Sequence, residues 1–135
     1  MTSQQCLQIL RTVKDVAFAS VDAQGDPQVR IIDVMLIEED RLYFCTARGK
    51  AFYQQLIAHP RIAIVGMNRD FQMVRLSGEA RHLDDQKYWI DRIFAENPSM
   101  CDVYPGDSRY ILETFCIDTG ELSFFDLGRT PIERE

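Results

Sequence analysis

Apolar residues recur along this chain with two spacings, one typical of helices and the other of strands. The helical spacing occurs in segments that begin near Gln4, Ala51 and Gln86. Strand patterns, bounded by turns rich in Gly, Asp and Pro, cover residues 16–21, 29–37, 42–45, 61–67, 71–83, 110–118 and 121–127. Short strands that follow one another favour a mainly β fold, a small closed or half-open barrel of about six or seven antiparallel strands with flanking helices.

Two details of the strand patterns bear on how such a barrel is built. Gly78 interrupts the long pattern of residues 71–83, and a glycine inside a strand is typical of a bulge or bend. The final two patterns flank Thr119 and Gly120, which predicts a hairpin around these two residues. We therefore expect the sheet to bend at Gly78 and to end in a hairpin.

Length, charge and hydropathy limit the classes of protein to consider. With 135 residues and 46% hydrophobic content, residues 1–135 are predicted to form one domain with a sizeable core. The net charge of −6 leaves no broad basic surface, so nucleic-acid binding is disfavoured. The N-terminus lacks a basic region, and no window approaches the roughly 18 apolar residues of a membrane span, so we expect a cytoplasmic protein that does not enter the membrane.

The cysteines are widely spaced and include no CxxC pair; they are Cys6, Cys45, Cys101 and Cys116. This spacing disfavours a zinc site and a disulfide framework, so reduced and mostly buried thiols are expected. Cys45 has a second interpretation, because the neighbouring Arg48 and Lys50 could stabilise its thiolate.

Two polar residues interrupt the apolar run of residues 29–37. Arg30 and Asp33 are three positions apart, so a regular strand turns them to opposite faces. Because an unpaired buried charge is costly, the Arg30 guanidinium must reach water, pair with a carboxylate or bind an anionic ligand. The sequence leaves these alternatives open.

The segment of residues 41–58 passes from a strand pattern to a helical one through the turn Thr46-Ala47-Arg48-Gly49-Lys50. A helix start exposes backbone N–H groups that favour an anion, so this turn is a candidate phosphate site. The alternative is an ordinary solvated turn that Thr46 or Gly49 caps. The chain has no GxGxxG motif and no P-loop, so a phosphate site here would be built from barrel strands and one helix start.

The chain resembles the pyridoxamine 5′-phosphate oxidase-like FMN-binding split barrels in the order of three segments, VAFASVDAQGDPQVRIIDV, RLYFCTARGKAFYQQLIAHPRIAIVG and MVRLSGEARHL. The shared pattern is an Arg-bearing apolar strand, a strand ending in aromatic-x-Thr, a basic helix start, a His-Pro pair and a V-R-x-x-G strand. It covers roughly residues 15–127. The run GMNRDFQMVRLSGEA and the lack of extra substrate segments are most similar to the short nitroimidazole-reductase-like branch.

The resemblance implies roles for individual residues. Arg30 matches the family's Arg on the strand that passes the flavin, and Ile31 and Ile32 match backbone contacts to the isoalloxazine. Lys50 matches the Lys that binds the FMN phosphate. Phe44, Cys45 and Thr46 match the segment that lines the ring and ribityl chain. The full predicted FMN site is Arg30, Ile31, Ile32, Asp33, Phe44, Cys45, Thr46, Ala47, Arg48 and Lys50.

This chain also departs from the oxidase pattern. The oxidase proper has adjacent Arg and Lys at the helix start, whereas Gly49 separates the two cations here. Met35 and Met73 stand where the oxidase has a second cation and a Gln, which argues against pyridoxamine phosphate as the substrate. Asp33 brings a negative charge towards the proposed ring, and the sequence assigns it no role.

The resemblance implies a homodimer with FMN at its interface, completed by residues near Met67, Met73, Trp89 and Tyr104 of the second chain. The apolar residues also favour a dimer, because the patterns of residues 29–37 and 61–67 predict strands that are apolar on both faces.

Three functions are compatible with the sequence. The first is an FMN-dependent oxidoreductase that acts on a small molecule or redox partner. The second is a non-catalytic flavin-binding or electron-carrier protein. The third is a flavin-less member that binds another phosphate-bearing or tetrapyrrole ligand. No side chain of the predicted site is an obvious general base, so the catalytic residues are unknown.

Overall fold

The computed structural model describes residues 1–118, 120–129 and 133–134. In chain order the elements are α1 (Ser3–Val13), β1 (Asp15–Val21), β2 (Pro27–Asp33), β3 (Leu36–Glu38), β4 (Arg41–Ala47), α2 (Ala51–Ala58), β5 (Arg61–Met67), β6 (Gln72–His82), α3 (Gln86–Glu96), α4 (Met100–Val103), a 3₁₀ helix (Gly106–Ile111), β7 (Leu112–Ile117), β8 (Glu121–Asp126) and β9 (Glu133–Arg134).

These strands form one nine-stranded sheet with the order β2-β1-β5-β6-β7-β4-β3, and β8 and β9 branch from β6. Every strand pairing among the described residues is antiparallel. The sheet curls around buried aromatic rings, among which Phe44 lies 5.0 Å from Phe18 and 5.6 Å from Phe115, centroid to centroid. The predicted mainly β split barrel with flanking helices is confirmed. The strand count exceeds the predicted six or seven because of the short strands β3 and β9.

The β1–β2 hairpin sets the position of the residues at the candidate site. Its turn is held by the Asp22 carboxylate, which accepts hydrogen bonds from the backbone N–H groups of Gln24 and Asp26, each at 3.0 Å. The register places Arg30 opposite Phe18 on one face. Asp33 is opposite Asp15, so Arg30 and Asp33 point to opposite faces, as the sequence predicts.

The run of residues 29–37, predicted as one strand, is divided into β2 and β3. The N–H of Val34 donates to the carbonyl of Lys14 at 2.8 Å, and the N–H of Met35 donates to Tyr43 at 2.9 Å. The first bond extends the β1–β2 pairing by one residue, and the second carries the chain across to β4. The side chain of Arg11 secures the break, because it donates to the Val34 carbonyl at 2.9 Å.

The predicted final hairpin is wrong, although Thr119 itself lies outside the described residues. β7 pairs with β4 and with residues 80–82 of β6, whereas β8 pairs with residues 72–77 of β6. The chain crosses over β6 at Gly78, where an added Cβ would lie 3.3 Å from Cα of Gly120. A side chain at Gly120 would in turn lie 1.7 Å from the Ser77 carbonyl oxygen, so this close crossing requires glycine. In the described part of the chain, no helix is long and apolar enough to cross a membrane.

Candidate functional site

A cleft of about 600 Å³ opens between β2, the end of β4, the start of α2 and α4. It brings together all of the predicted site residues except Phe44 and Arg48, namely Arg30, Ile31, Ile32, Asp33, Cys45, Thr46, Ala47 and Lys50. This volume is in the range of sites that hold a small molecule or cofactor.

Arg30 lies in the cleft without an acidic partner. Its guanidinium donates to the Ser20 hydroxyl at 2.9 Å and to the Gln55 side-chain oxygen at 3.1 Å, and it lies 4.0 Å from the centroid of the Phe52 ring. Partial burial lowers the pKa of Arg30 below its ordinary value, but an arginine stays charged at neutral pH. Among the described residues, no ion pair involves Arg30, so its charge is oriented but not neutralised.

Lys50 stands at the start of α2, beside Arg30 in the cleft wall. It is the N-cap residue of the helix, with φ −87° and ψ 149°, so neither Thr46 nor Gly49 caps it. No side-chain hydrogen bond caps the helix start, and the Lys50 side chain is exposed. Two cations and a helix N-terminus therefore meet at one end of the cleft, an arrangement that favours an anion such as phosphate.

The two predicted residues outside the cleft are held elsewhere. Arg48 turns away from Lys50, donates to the Tyr110 carbonyl at 2.7 Å and pairs with Glu113 at 3.6 Å. Phe44 is fully buried, because alternation along β4 points it into the barrel core. Arg48 is thus not one of the cations that could bind an anion in the cleft.

Asp33 and Cys45 also line the cleft. Burial, followed by the charge of Asp33, raises the pKa of Cys45 to about 12 despite the nearby Lys50. This result favours a neutral buried thiol over the stabilised thiolate considered above. A hydrogen bond to Asp15, burial and the charge of Asp15 raise the pKa of Asp33, so this carboxyl group holds its proton to a higher pH than an isolated aspartate.

Sequence analysis missed half of the cleft wall: Gln28, Met35, Ala51, Phe52, Gln55, Met100, Tyr104 and Leu112. Ala51 and Gln55 are four residues apart on one face of α2, so helical spacing from the predicted helix start could have indicated them. Tyr104 was expected from a second subunit but lines the cleft of its own chain. Met35 reaches the cleft because the Asn97 amide donates to its carbonyl at 2.9 Å and fixes the break between β2 and β3. In the described residues, no group of His, Cys, Asp or Glu could hold a metal ion.

Comparison with known proteins identifies the family and the fold of the chain. The sequence profile of the pyridoxamine 5′-phosphate oxidase family matches residues 2–102. No curated protein sequence is significantly similar to the chain.

Three solved structures are similar in fold. A NimC/NimA family protein from Clostridium acetobutylicum is 25% identical, with a TM-score of 0.83 over 98% of this chain and 89% of its own. A pyridoxamine 5′-phosphate oxidase-related, FMN-binding protein from Nostoc punctiforme is 17% identical, with a TM-score of 0.67 over 97% of this chain and 85% of its own. A heme-binding protein from Mycobacterium smegmatis is 14% identical, with a TM-score of 0.68 over 100% of this chain and 58% of its own.

Proposed function

Since the chain belongs to the pyridoxamine 5′-phosphate oxidase family, we propose that it binds FMN in the cleft and acts as a small FMN-dependent oxidoreductase. The observation that carries this proposal is the polarity of the cleft, with two cations at one end and apolar side chains along its length. FMN has the same two parts, a dianionic phosphate and a flat ring. The FMN-binding protein from Nostoc punctiforme supports the choice of cofactor.

The residues present fit the cofactor. Arg30, Lys50 and the N–H groups at the start of α2 are suited to hold the phosphate, and Thr46 adds a hydroxyl nearby. Ile32 and Leu112 offer an apolar surface to the ring. When bound, FMN supplies hydride acceptance and donation, while the chain binds it, orients it and excludes water.

Lys50→Ala tests the phosphate end directly. Loss of one charge-assisted contact should weaken FMN binding by about 1.5–3 kcal/mol, roughly ten- to a hundredfold, in a fluorescence titration of the stripped protein. Arg48→Ala is the matched control, since it removes a cation from the same turn that points to Tyr110 and Glu113 instead. If the two variants bind FMN equally well, the start of α2 does not hold the phosphate.

We also propose that the protein is a homodimer that joins through the outer face of β2, β1 and β5. Val29 is 71% exposed and Ile31 65% exposed on this face. The register places Ala19 beside Val29, and Ala17 beside both Ile31 and Val65, so the apolar surface is continuous. Because Ile31 also lines the cleft, a partner seated here would border the FMN site.

Light scattering tests the dimer. We expect the mass of a dimer at micromolar concentration and a mass close to that of the monomer for Val29→Glu, because an unpaired carboxylate would be buried at the interface. Ile57→Glu is the control, since Ile57 is also an exposed aliphatic residue but lies on α2 and not on this sheet face. A monomer mass for the FMN-loaded wild type would contradict the proposal.

A further inference from the structure

Two carboxylates face each other across the β1–β2 hairpin at the inner end of the cleft. Asp15 and Asp33 are register partners, and the bond from the Val34 N–H to the Lys14 carbonyl at 2.8 Å fixes this alignment. Asp33 lines the cleft, whereas Asp15 is exposed to solvent. In this pair, Asp15 is in contact with solvent and Asp33 borders the cleft.

Cross-strand pairing places the two carboxyl groups side by side on one face of the hairpin, where one proton can bridge them. A hydrogen bond to Asp15, burial and the charge of Asp15 raise the pKa of Asp33, while Lys14 acts in the opposite sense. Two adjacent carboxylates resist double ionisation, so the pair keeps a proton to a higher pH than a single aspartate does.

Other titratable groups near the pair are less suited to deliver a proton. Cys45 interacts with the charge of Asp33, but burial raises the pKa of its thiol to about 12. Lys50 is at the start of α2, and Tyr104 lines the cleft from the end of α4, where it is the C-cap residue. Asp33 is thus the carboxylic acid that lines the cleft and has a solvent-exposed carboxyl group as its neighbour.

We propose that Asp33 donates a proton to the group that is reduced in the cleft and that Asp15 positions and reprotonates it. This inference rests on the proposed FMN-dependent function, in which a reduced nicotinamide delivers a hydride and is itself oxidised. The hydride carries two electrons and one proton, so the acceptor gains one hydrogen and one negative charge. Cleavage of the Asp33 O–H bond supplies the second proton, and the pair passes from one negative charge to two. Asp15 then takes a proton from water.

Two measurements other than turnover test this role. The first is an NMR titration of the Asp33 carboxyl in the FMN-free protein, where the wild type should titrate above the usual aspartate range. In Asp15→Asn the midpoint should fall towards that of an isolated aspartate. The second is the absorbance of bound, chemically reduced FMN against pH, which reports the loss of a proton from the ring. Because a carboxylate beside the ring opposes its negative charge, Asp33→Asn should lower the proton affinity of the reduced ring by about tenfold.

Asp26→Asn is the control, since Asp26 is on the same hairpin but at its far, exposed end. An ordinary titration of Asp33 in the wild type would overturn the inference, as would equal ring titrations in Asp33→Asn and Asp26→Asn. A wild type that binds no FMN would refute the proposed function and this role with it. That outcome differs from a failure of the Asp33 role alone, because it is seen when FMN binding to the wild type is measured, before any variant is compared.

Discussion

The substitution Arg30→Met separates a structural role of this arginine from a role in ligand binding. Methionine keeps a long, apolar side chain and removes the guanidinium, which lies 4.0 Å from the centroid of the Phe52 ring. The two acceptors of Arg30 are not orphaned by the change, because the Ser20 hydroxyl also donates to Gln55 at 3.2 Å. We therefore expect the stability of the FMN-free protein to change by no more than about 1 kcal/mol.

The effect on the FMN complex should be larger. Loss of a charge-assisted contact to phosphate should cost about 2 kcal/mol, which is roughly a thirtyfold weaker affinity. At an FMN concentration about 1,000 times the wild-type Kd, FMN stabilises the wild type by about 4.1 kcal/mol and the variant by only about 2 kcal/mol. For a domain of this size, each kcal/mol corresponds to roughly 4 °C in Tm, so the FMN-induced rise should fall from about 16 °C to about 8 °C.

The assay is thermal unfolding of the wild type, Arg30→Met and Arg61→Met, each with and without FMN. Arg61 is a suitable control because it is an exposed arginine on another strand of the same sheet. An FMN-induced rise in Tm that is the same in all three proteins would refute the reasoning and leave Arg30 with a structural role only.

Three further outcomes follow from the geometry. Asp33→Asn should stabilise the fold by roughly 0.2–1 kcal/mol at neutral pH, because the adjacent carboxyl groups hold a proton that two separate aspartates release at this pH. Since the folded pKa of Asp33 is raised, this advantage should vanish as the pH falls below about 3.9, and a constant difference in chemical denaturation would contradict it. In a thiol-labelling time course at neutral pH, the exposed Cys101 should react while Cys45 does not, because burial raises the pKa of Cys45 to about 12. Fast labelling of Cys45 would show that its thiol is not held in the neutral form. Gly120→Ala should destabilise the protein by about 3 kcal/mol in urea unfolding, since the new methyl group meets the Ser77 carbonyl, and an unaffected midpoint would argue against the crossing over β6.

Local signals in the sequence were sufficient to predict the turn between β1 and β2 and the start of α2. The turn between β1 and β2 was readable from its Asp, Gly and Pro residues, and Asp22 does hold it together. The break at Val34 and Met35 was not readable, because both are apolar residues inside an apolar run. Its cause is tertiary, since the N–H of Met35 donates to the carbonyl of Tyr43 on β4.

The topology and half of the site depended on contacts between distant residues. β7 and β8 are adjacent in sequence, and only the shared partner β6 shows that they do not pair with each other. Arg48 and Lys50 looked equivalent in sequence, but Glu113 and the Tyr110 carbonyl draw Arg48 away from the cleft. Tyr104 carries no motif, so its place in the cleft could not be predicted from the sequence.

The absorbance spectrum of the purified protein tests the central claim most directly, because each candidate ligand has a distinct spectrum. If the cleft binds FMN, the protein should be yellow, show the two flavin bands, and release FMN with its phosphate intact on denaturation. Stripped protein should regain the same spectrum when FMN is added. A colourless protein that does not change the spectrum of added FMN, or a protein that shows a heme Soret band instead, would contradict the account.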